Sequence, residues 1–192
     1  NLRLGYLIPL FIEGSKAGKL TFETVRDYLN QNSCVAVEME ESNFDGNTDK
    51  YTWQPLLYPA LEEFFRQLKL VTQEAADFNP TFVLCLDSLT LKIEGMLRES
   101  LQLTGKATVS ANNKRDLREV TFEGLIDLAQ ESGLLSISEA NFFRFLFTSL
   151  GMDQRNNIAH CYYKLPEYYS LNTMILIFCA MMRIVTKEVS NN

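Results

Sequence analysis

The feature that most constrains this chain is a stripe of apolar residues at helical spacing near its C-terminal end. Leu171, Met174, Ile175, Phe178, Met181, Met182 and Val185 fall at offsets 0, 3, 4, 7, 10, 11 and 14. Side chains at those intervals share one face of a helix, so the segment must lay that face against other elements. Ser170 stands before it as a candidate N-cap, since its hydroxyl can accept from a first-turn N–H, and Pro166 marks the preceding loop. The longest uninterrupted apolar run, 174–182, is nine residues. That is about half of the roughly 20 that a spanning helix needs, so no membrane contact is expected of this segment.

Helical periodicity recurs upstream. A long helix is expected over about 80–103, with Pro80 at a permitted first-turn position, Val83, Leu86, Leu89, Ile93 and Leu97 facing inward, and Gly105 closing it. Two more are expected over roughly 116–131, ending at Gly133, and 139–150, ending at Gly151. The second opens on Ser136 and Glu139, three apart, in the form of a capping box. Phe142, Phe143, Phe145, Leu146, Phe147 and Leu150 are apolar on too many faces for a surface helix and belong in the core or at a subunit interface.

Before residue 75, the stretches 21–30 and 56–71 read as helices, the latter with Pro59 in its first turns. Between them 33–53 is polar and acidic: Glu38, Glu40, Glu41, Asp45 and Asp49 meet no basic residue until Lys50. The expectation there is a solvated loop with a short strand at 35–39 and turn chemistry at Asp45-Gly46-Asn47. The spacing fits no EF-hand, and no metal is assigned. The fold class expected is all-α, with residues 1–75 a mostly helical extension carrying the acidic loop 33–53, and residues 76–192 a helical bundle.

Composition narrows the function. With 46% hydrophobic residues over 192 positions the chain can bury one substantial core. A formal charge of -6 excludes coating nucleic acid through a bulk positive field, so any such contact has to be local. Cys34, Cys85, Cys161 and Cys179 are widely spaced with no Cys-x-x-Cys, which reads as reduced thiols in an intracellular, cytoplasmic protein. The first residues lack the layout of a signal or transit peptide, and opening on Asn1 is what a segment of a longer protein would do.

One stretch carries chemistry. In Gly151-Met-Asp-Gln-Arg-Asn-Asn-Ile-Ala-His160-Cys-Tyr162 the only histidine follows an Arg-Asn pair by five and four residues. Asp153 is a candidate N-cap, which sets Arg155 and Asn156 in a first turn where backbone N–H groups favour an anion. Arg155 adds a permanent charge and a fork of donors suited to phosphate. Asn156 and His160 are i and i+4 and share a face, while Arg155 starts about 140° round from His160. Histidine can accept and return a proton near neutrality.

Arg155-Asn156-x-x-Ala159-His160 resembles the signature of the HEPN superfamily, Arg, four to six residues, then His. More narrowly, 146–160 is similar to the C-terminal domain of endoplasmic reticulum membrane-associated RNA degradation proteins and their bacterial relatives, and Ile93-Glu94-Gly-Met-Leu97-Arg98 is similar to that family's Ile-Glu-x-x-Leu-Arg helix. The resemblance covers about 82–185. The family commonly has Gly after the His; here it is Cys161.

The resemblance implies a HEPN-like helical bundle that pairs as a homodimer and acts as a metal-independent ribonuclease without cofactor on single-stranded RNA. His160 would be the general base or acid, Arg155 would bind the scissile phosphate, and Asn156 would fix the phosphate or the imidazole. The RNA 2′-hydroxyl would attack, giving a 2′,3′-cyclic phosphate and a 5′-hydroxyl. It also implies membrane association for a longer full-length protein. Within the basic strip 92–118, Lys106, Lys114, Arg115 and Arg118 are candidates for tracking the RNA backbone. Tyr162 and Tyr163 are candidates for stacking on unpaired bases, against packing in the bundle. Tyr162 also matches the position at which HEPN toxins are modified by a partner nucleotidyltransferase. The alternative is a non-catalytic HEPN-like module for dimerisation or for RNA or nucleotide binding, and a weaker one is a helical adaptor.

Overall fold

The computed structural model of the chain describes residues 4–42, 45–73, 79–111 and 117–186. These form a mostly helical protein: α1 (Leu4–Lys16), α2 (Phe22–Asn32), α3 (Gln54–Thr72), α4 (Val83–Leu103), α5 (Phe122–Glu131), α6 (Ile137–Phe147), α7 (Gln154–Ala159) and α8 (Leu171–Val185). Two antiparallel hairpins interrupt the series. Strands β1 (Met39–Ser42) and β2 (Thr48–Tyr51) pair with Glu40 opposite Lys50, and β3 (Val109–Ala111) and β4 (Leu117–Glu119) pair with Ser110 opposite Arg118.

Local signals set most helix starts. The Ser136 hydroxyl accepts from the Glu139 N–H at 3.3 Å while the Glu139 carboxylate accepts from the Ser136 N–H at 2.8 Å, the reciprocal box expected at the head of α6. Ser170 caps α8 by accepting from the Thr173 N–H at 3.2 Å.

Three expectations need correction. The helix anticipated over 80–103 begins at Val83, because the Thr81 N–H is drawn to the Gln67 side chain of α3 at 3.0 Å and Pro80 stays outside the helix. The one anticipated over 116–131 begins at Phe122, where the Thr121 hydroxyl accepts from the Gly124 N–H, and 117–119 is a strand. The acidic segment is a turn at Cys34–Ala36 followed by the β1–β2 hairpin, in place of a loop with a strand at 35–39; Gly46 supplies the left-handed turn residue with φ 78.

At the centre is α4, which packs against both α3 and α8. Its Leu86, Leu89, Ile93, Leu97 and Leu101 are wholly buried, each such side chain contributing about 1.5–3 kcal/mol of transfer free energy. One continuous hydrophobic core runs from Phe11 to Val185. Its aromatic knot is Phe64 of α3, with Phe65 at 4.9 Å, Phe178 of α8 at 5.7 Å, Phe11 of α1 at 6.1 Å and Phe82 at 6.2 Å. The helix expected over 139–150 ends at Phe147, and its aromatic run splits: Phe143, Leu146 and Phe147 are buried, while Phe145 and, beyond the helix, Leu150 are exposed. Among the described residues no helix is long and apolar enough to cross a membrane.

Candidate active site

The turn between α6 and α7 positions the Arg-Asn pair. The Met152 N–H donates to the Phe145 carbonyl at 2.7 Å, and the Gly151 and Asp153 N–H groups both donate to the Thr148 carbonyl, at 3.1 and 3.2 Å. Gly151 lies so close to this backbone that a Cβ there would sit 2.8 Å from the Phe145 carbonyl carbon. Asp153 then takes a left-handed conformation, φ 50, and redirects the chain into α7. Buried Gln154 donates to the Tyr163 hydroxyl at 3.0 Å, and that hydroxyl donates to the Met152 carbonyl at 3.3 Å, pinning the returning loop. Burial pushes the Tyr163 phenol above its ordinary range.

Asp153 occupies the N-cap position without capping through its side chain; its carboxylate accepts from the Asn156 amide at 2.8 Å. With six residues in α7 and a carboxylate already at its head, the helix terminus supplies little attraction for an anion. The positive charge comes from side chains. Arg155 donates from Nε to Glu94 Oε2 at 2.9 Å and from a terminal nitrogen to Asn156 Oδ1 at 3.1 Å. The other Glu94 oxygen accepts from Arg98 at 3.2 Å. These side chains line a cleft of about 450 Å³ together with Glu119, Thr121, Glu123, Thr148 and Ser149.

His160 stands elsewhere. It is the exposed C-terminal cap of α7, its N–H donating to the Asn156 carbonyl at 3.0 Å, and its ring lies 5.6 Å from the exposed Tyr162 ring. It is not among the residues lining the cleft. After it, the Cys161 N–H donates to the Ile158 carbonyl at 3.0 Å and the Tyr162 N–H to the Asn157 carbonyl at 2.8 Å. This is a Schellman closure, with Cys161 at φ 53 in the position that glycine usually fills.

The structure thus brings Arg155 and Asn156 into one cleft and leaves His160 and Tyr162 on the adjoining surface. Tyr163 packs inward, stacked on Tyr168 at 4.8 Å and edge-on to Tyr169 at 6.0 Å. Lys106 and Arg118 are exposed at the β3–β4 hairpin; Lys114 and Arg115 lie outside the described residues. Sequence reasoning did not pick out Thr121, Thr148 and Ser149 as cleft residues; it noted Glu94 and Arg98 within a motif and Arg98 also among the basic residues of the strip 92–118. Their i, i+4 spacing signals an ion pair, but nothing local signals the 61-residue reach to Arg155.

Further along α4, Asp87 faces Tyr169. Burial raises its carboxyl above the ordinary range, against a Tyr169 hydrogen bond that lowers it, and its Oδ1 is buried without a hydrogen-bond partner. Burial also pushes the Cys85 thiol up to about 12. Among the described residues no group of three or more His, Cys, Asp or Glu is arranged to hold a metal ion. Comparison with models of protein families, with curated proteins and with solved structures finds no match to this chain.

Proposed function

We propose that this chain is an endoribonuclease of HEPN type, cleaving single-stranded RNA through its own 2′-hydroxyl at a site completed by a second copy. The observation that carries the reading is the placement of Arg155 and Asn156 in a cleft with Arg98, while His160 stands exposed at the far end of the same short helix. One His160 removes the 2′-hydroxyl proton, the 2′-oxygen bonds to phosphorus, the P–O5′ bond breaks, and the partner copy's imidazolium protonates the leaving oxygen. Arg155 offsets the extra negative charge on the phosphorane, and Asn156 orients it. The nucleophile belongs to the substrate, so no metal-bound water is required by this chemistry. Exposed Phe145 and Leu150 beside the α6–α7 turn offer apolar area for pairing of copies.

The test is incubation of single-stranded RNA with purified protein in excess chelator, beside His160→Ala, with sedimentation to read the oligomeric state. Cleavage to 2′,3′-cyclic phosphate ends that disappears in His160→Ala, by a dimer, is expected. Cleavage that survives the substitution, or a strictly monomeric active species, overturns the reading.

A second reading is favoured by one specific observation: the cleft counts two arginines, Arg98 and Arg155, against three carboxylates, Glu94, Glu119 and Glu123. A non-catalytic binding or dimerisation module would tolerate that balance. RNA left intact by both proteins, with a stable dimer, selects it.

A further inference from the structure

Arg98 does more than pair with Glu94. Its guanidinium, in a side chain only 16% exposed, donates to the Thr108 carbonyl at 3.0 Å and to the Val120 carbonyl at 3.1 Å, and approaches Glu119 at 3.4 Å. Thr108 immediately precedes β3 and Val120 immediately follows β4, so Arg98 grips both ends of the hairpin at its neck. The neck is closed further by the Val120 N–H on the Thr108 carbonyl at 2.9 Å and by the Gln102 amide on the Thr108 hydroxyl at 2.9 Å. Glu94, 19% exposed, then joins Arg98 through one oxygen to Arg155 through the other. Three elements, the hairpin, α4 and α7, are thereby linked in series through Arg98, Glu94 and Arg155.

We propose that Glu94 and Arg98 are positioning residues that fasten the β3–β4 hairpin, bearing Arg118 and following Lys106, to the Arg155 guanidinium, so that hairpin and motif helix meet an RNA strand as one preset surface. The proposal rests on the ribonuclease reading for its consequence but not for its geometry. Glu94 lowers the positive charge of the cleft, which weakens phosphate attraction, yet it holds the Nε edge of Arg155 and leaves the terminal edge directed at Asn156. A residue with this role improves turnover at the expense of affinity. A merely structural carboxylate would support both or neither.

Three variants test it: Glu94→Gln, Glu94→Asp and Arg98→Lys, each followed by thermal melting, by anisotropy with a non-cleavable 2′-O-methyl RNA oligomer, and by single-turnover cleavage of the matching RNA. Glu94→Gln is expected to bind the oligomer several-fold more tightly, with a steeper salt dependence, while cleavage falls about 100-fold, the scale of loss for a reacting group misplaced by an ångström. Glu94→Asp should recover part of the cleavage. Arg98→Lys should slow cleavage although Arg155 is intact, because an ammonium cannot span two carbonyls and a carboxylate. Binding and cleavage that fall together with the melting temperature, or cleavage untouched by Glu94→Gln, overturn the proposal.

Failure of the nuclease reading itself is read separately. The Arg155 Nε–H resonance, assigned by its loss in Arg155→Lys, should shift in both Glu94→Gln and Arg98→Lys in a ¹⁵N-labelled sample whether or not RNA is cut. A resonance indifferent to Arg98→Lys sinks the coupling; a shifted resonance in a protein that cuts no RNA sinks only the ribonuclease.

Discussion

Arg155 donates from Nε to Glu94 at 2.9 Å, tying the start of α7 to the middle of α4 across 61 positions of sequence. The arginine that heads the motif is therefore a restrained group: one edge is held by a carboxylate, and another nitrogen touches Asn156. Whatever anion the cleft receives must approach a guanidinium whose direction is already set, and this orientation belongs to the tertiary fold and not to α7 alone.

Cys161→Gly should stabilise the protein. Cys161 holds φ 53 in the closing turn after His160, a conformation that costs an L-residue about 1–2 kcal/mol relative to glycine. Part of that gain is offset by the greater freedom of glycine in the unfolded chain. A rise in melting temperature of about 2–4 °C per kcal/mol recovered is expected for a chain of this size, and Cys161→Val should lower it.

Gly151→Ala should destabilise. An added Cβ would meet the Phe145 carbonyl group, which is backbone and cannot swing aside, so the α6–α7 turn must open. A loss of about 1–3 kcal/mol is expected, by analogy with overpacking elsewhere. In urea the midpoint should fall with an unchanged slope, and the displaced turn should carry Arg155 away from Glu94.

Stability should depend on pH through Asp87. Burial raises its folded-state pKa above the ordinary 3.8, so between those two values the folded chain binds more protons than the unfolded one. Stability contributed by the protonated carboxyl is then present at low pH and lost as pH rises through the raised value. Asp87→Asn removes this dependence, and the difference in unfolding free energy between variant and parent should move in favour of the variant as pH is raised from about 4 towards neutrality. A difference that stays constant with pH would show that Asp87 keeps an ordinary pKa.

Phe64→Ala should cost about 3–5 kcal/mol, a large share of the 5–15 kcal/mol typical of a domain. Phe64 touches rings from α1, α3, α8 and the segment before α4, so its loss loosens both sides of residue 75 together. Trp53, whose indole N–H donates to Glu99 of α4, reports on the earlier half by fluorescence. Its unfolding curve should coincide with the far-UV circular dichroism of the whole chain, in parent and variant alike.

How much of this was legible in the sequence depends on the range of the interaction. The bounds and cap of α8 follow from seven apolar positions and one serine, all within sixteen residues, and the Ser136–Glu139 box declares α6 in the same way. Strands of three and four residues have no comparable periodicity. Leu117 and Val120 fit a helical pattern as well as an extended one, and only the Arg98 clamp from α4 and pairing with 109–111 select the strand. In the site, Arg155, Asn156 and His160 were legible as a motif because they lie within six positions. Their separation into a cleft pair and an exposed ring was not, since it depends on Gly151, on the left-handed turns at Asp153 and Cys161, and on a carboxylate far upstream.

The Phe11, Phe64 and Phe178 knot bears on where this polypeptide can be cut. A piece beginning after residue 75 would carry Phe82 and Phe178 with their ring partners removed, baring an aromatic wall to water and inviting self-association and loss of solubility. Any shortened version meant for expression should retain the two helices that bring Phe11 and Phe64, even where the interest lies wholly in the Arg-Asn turn.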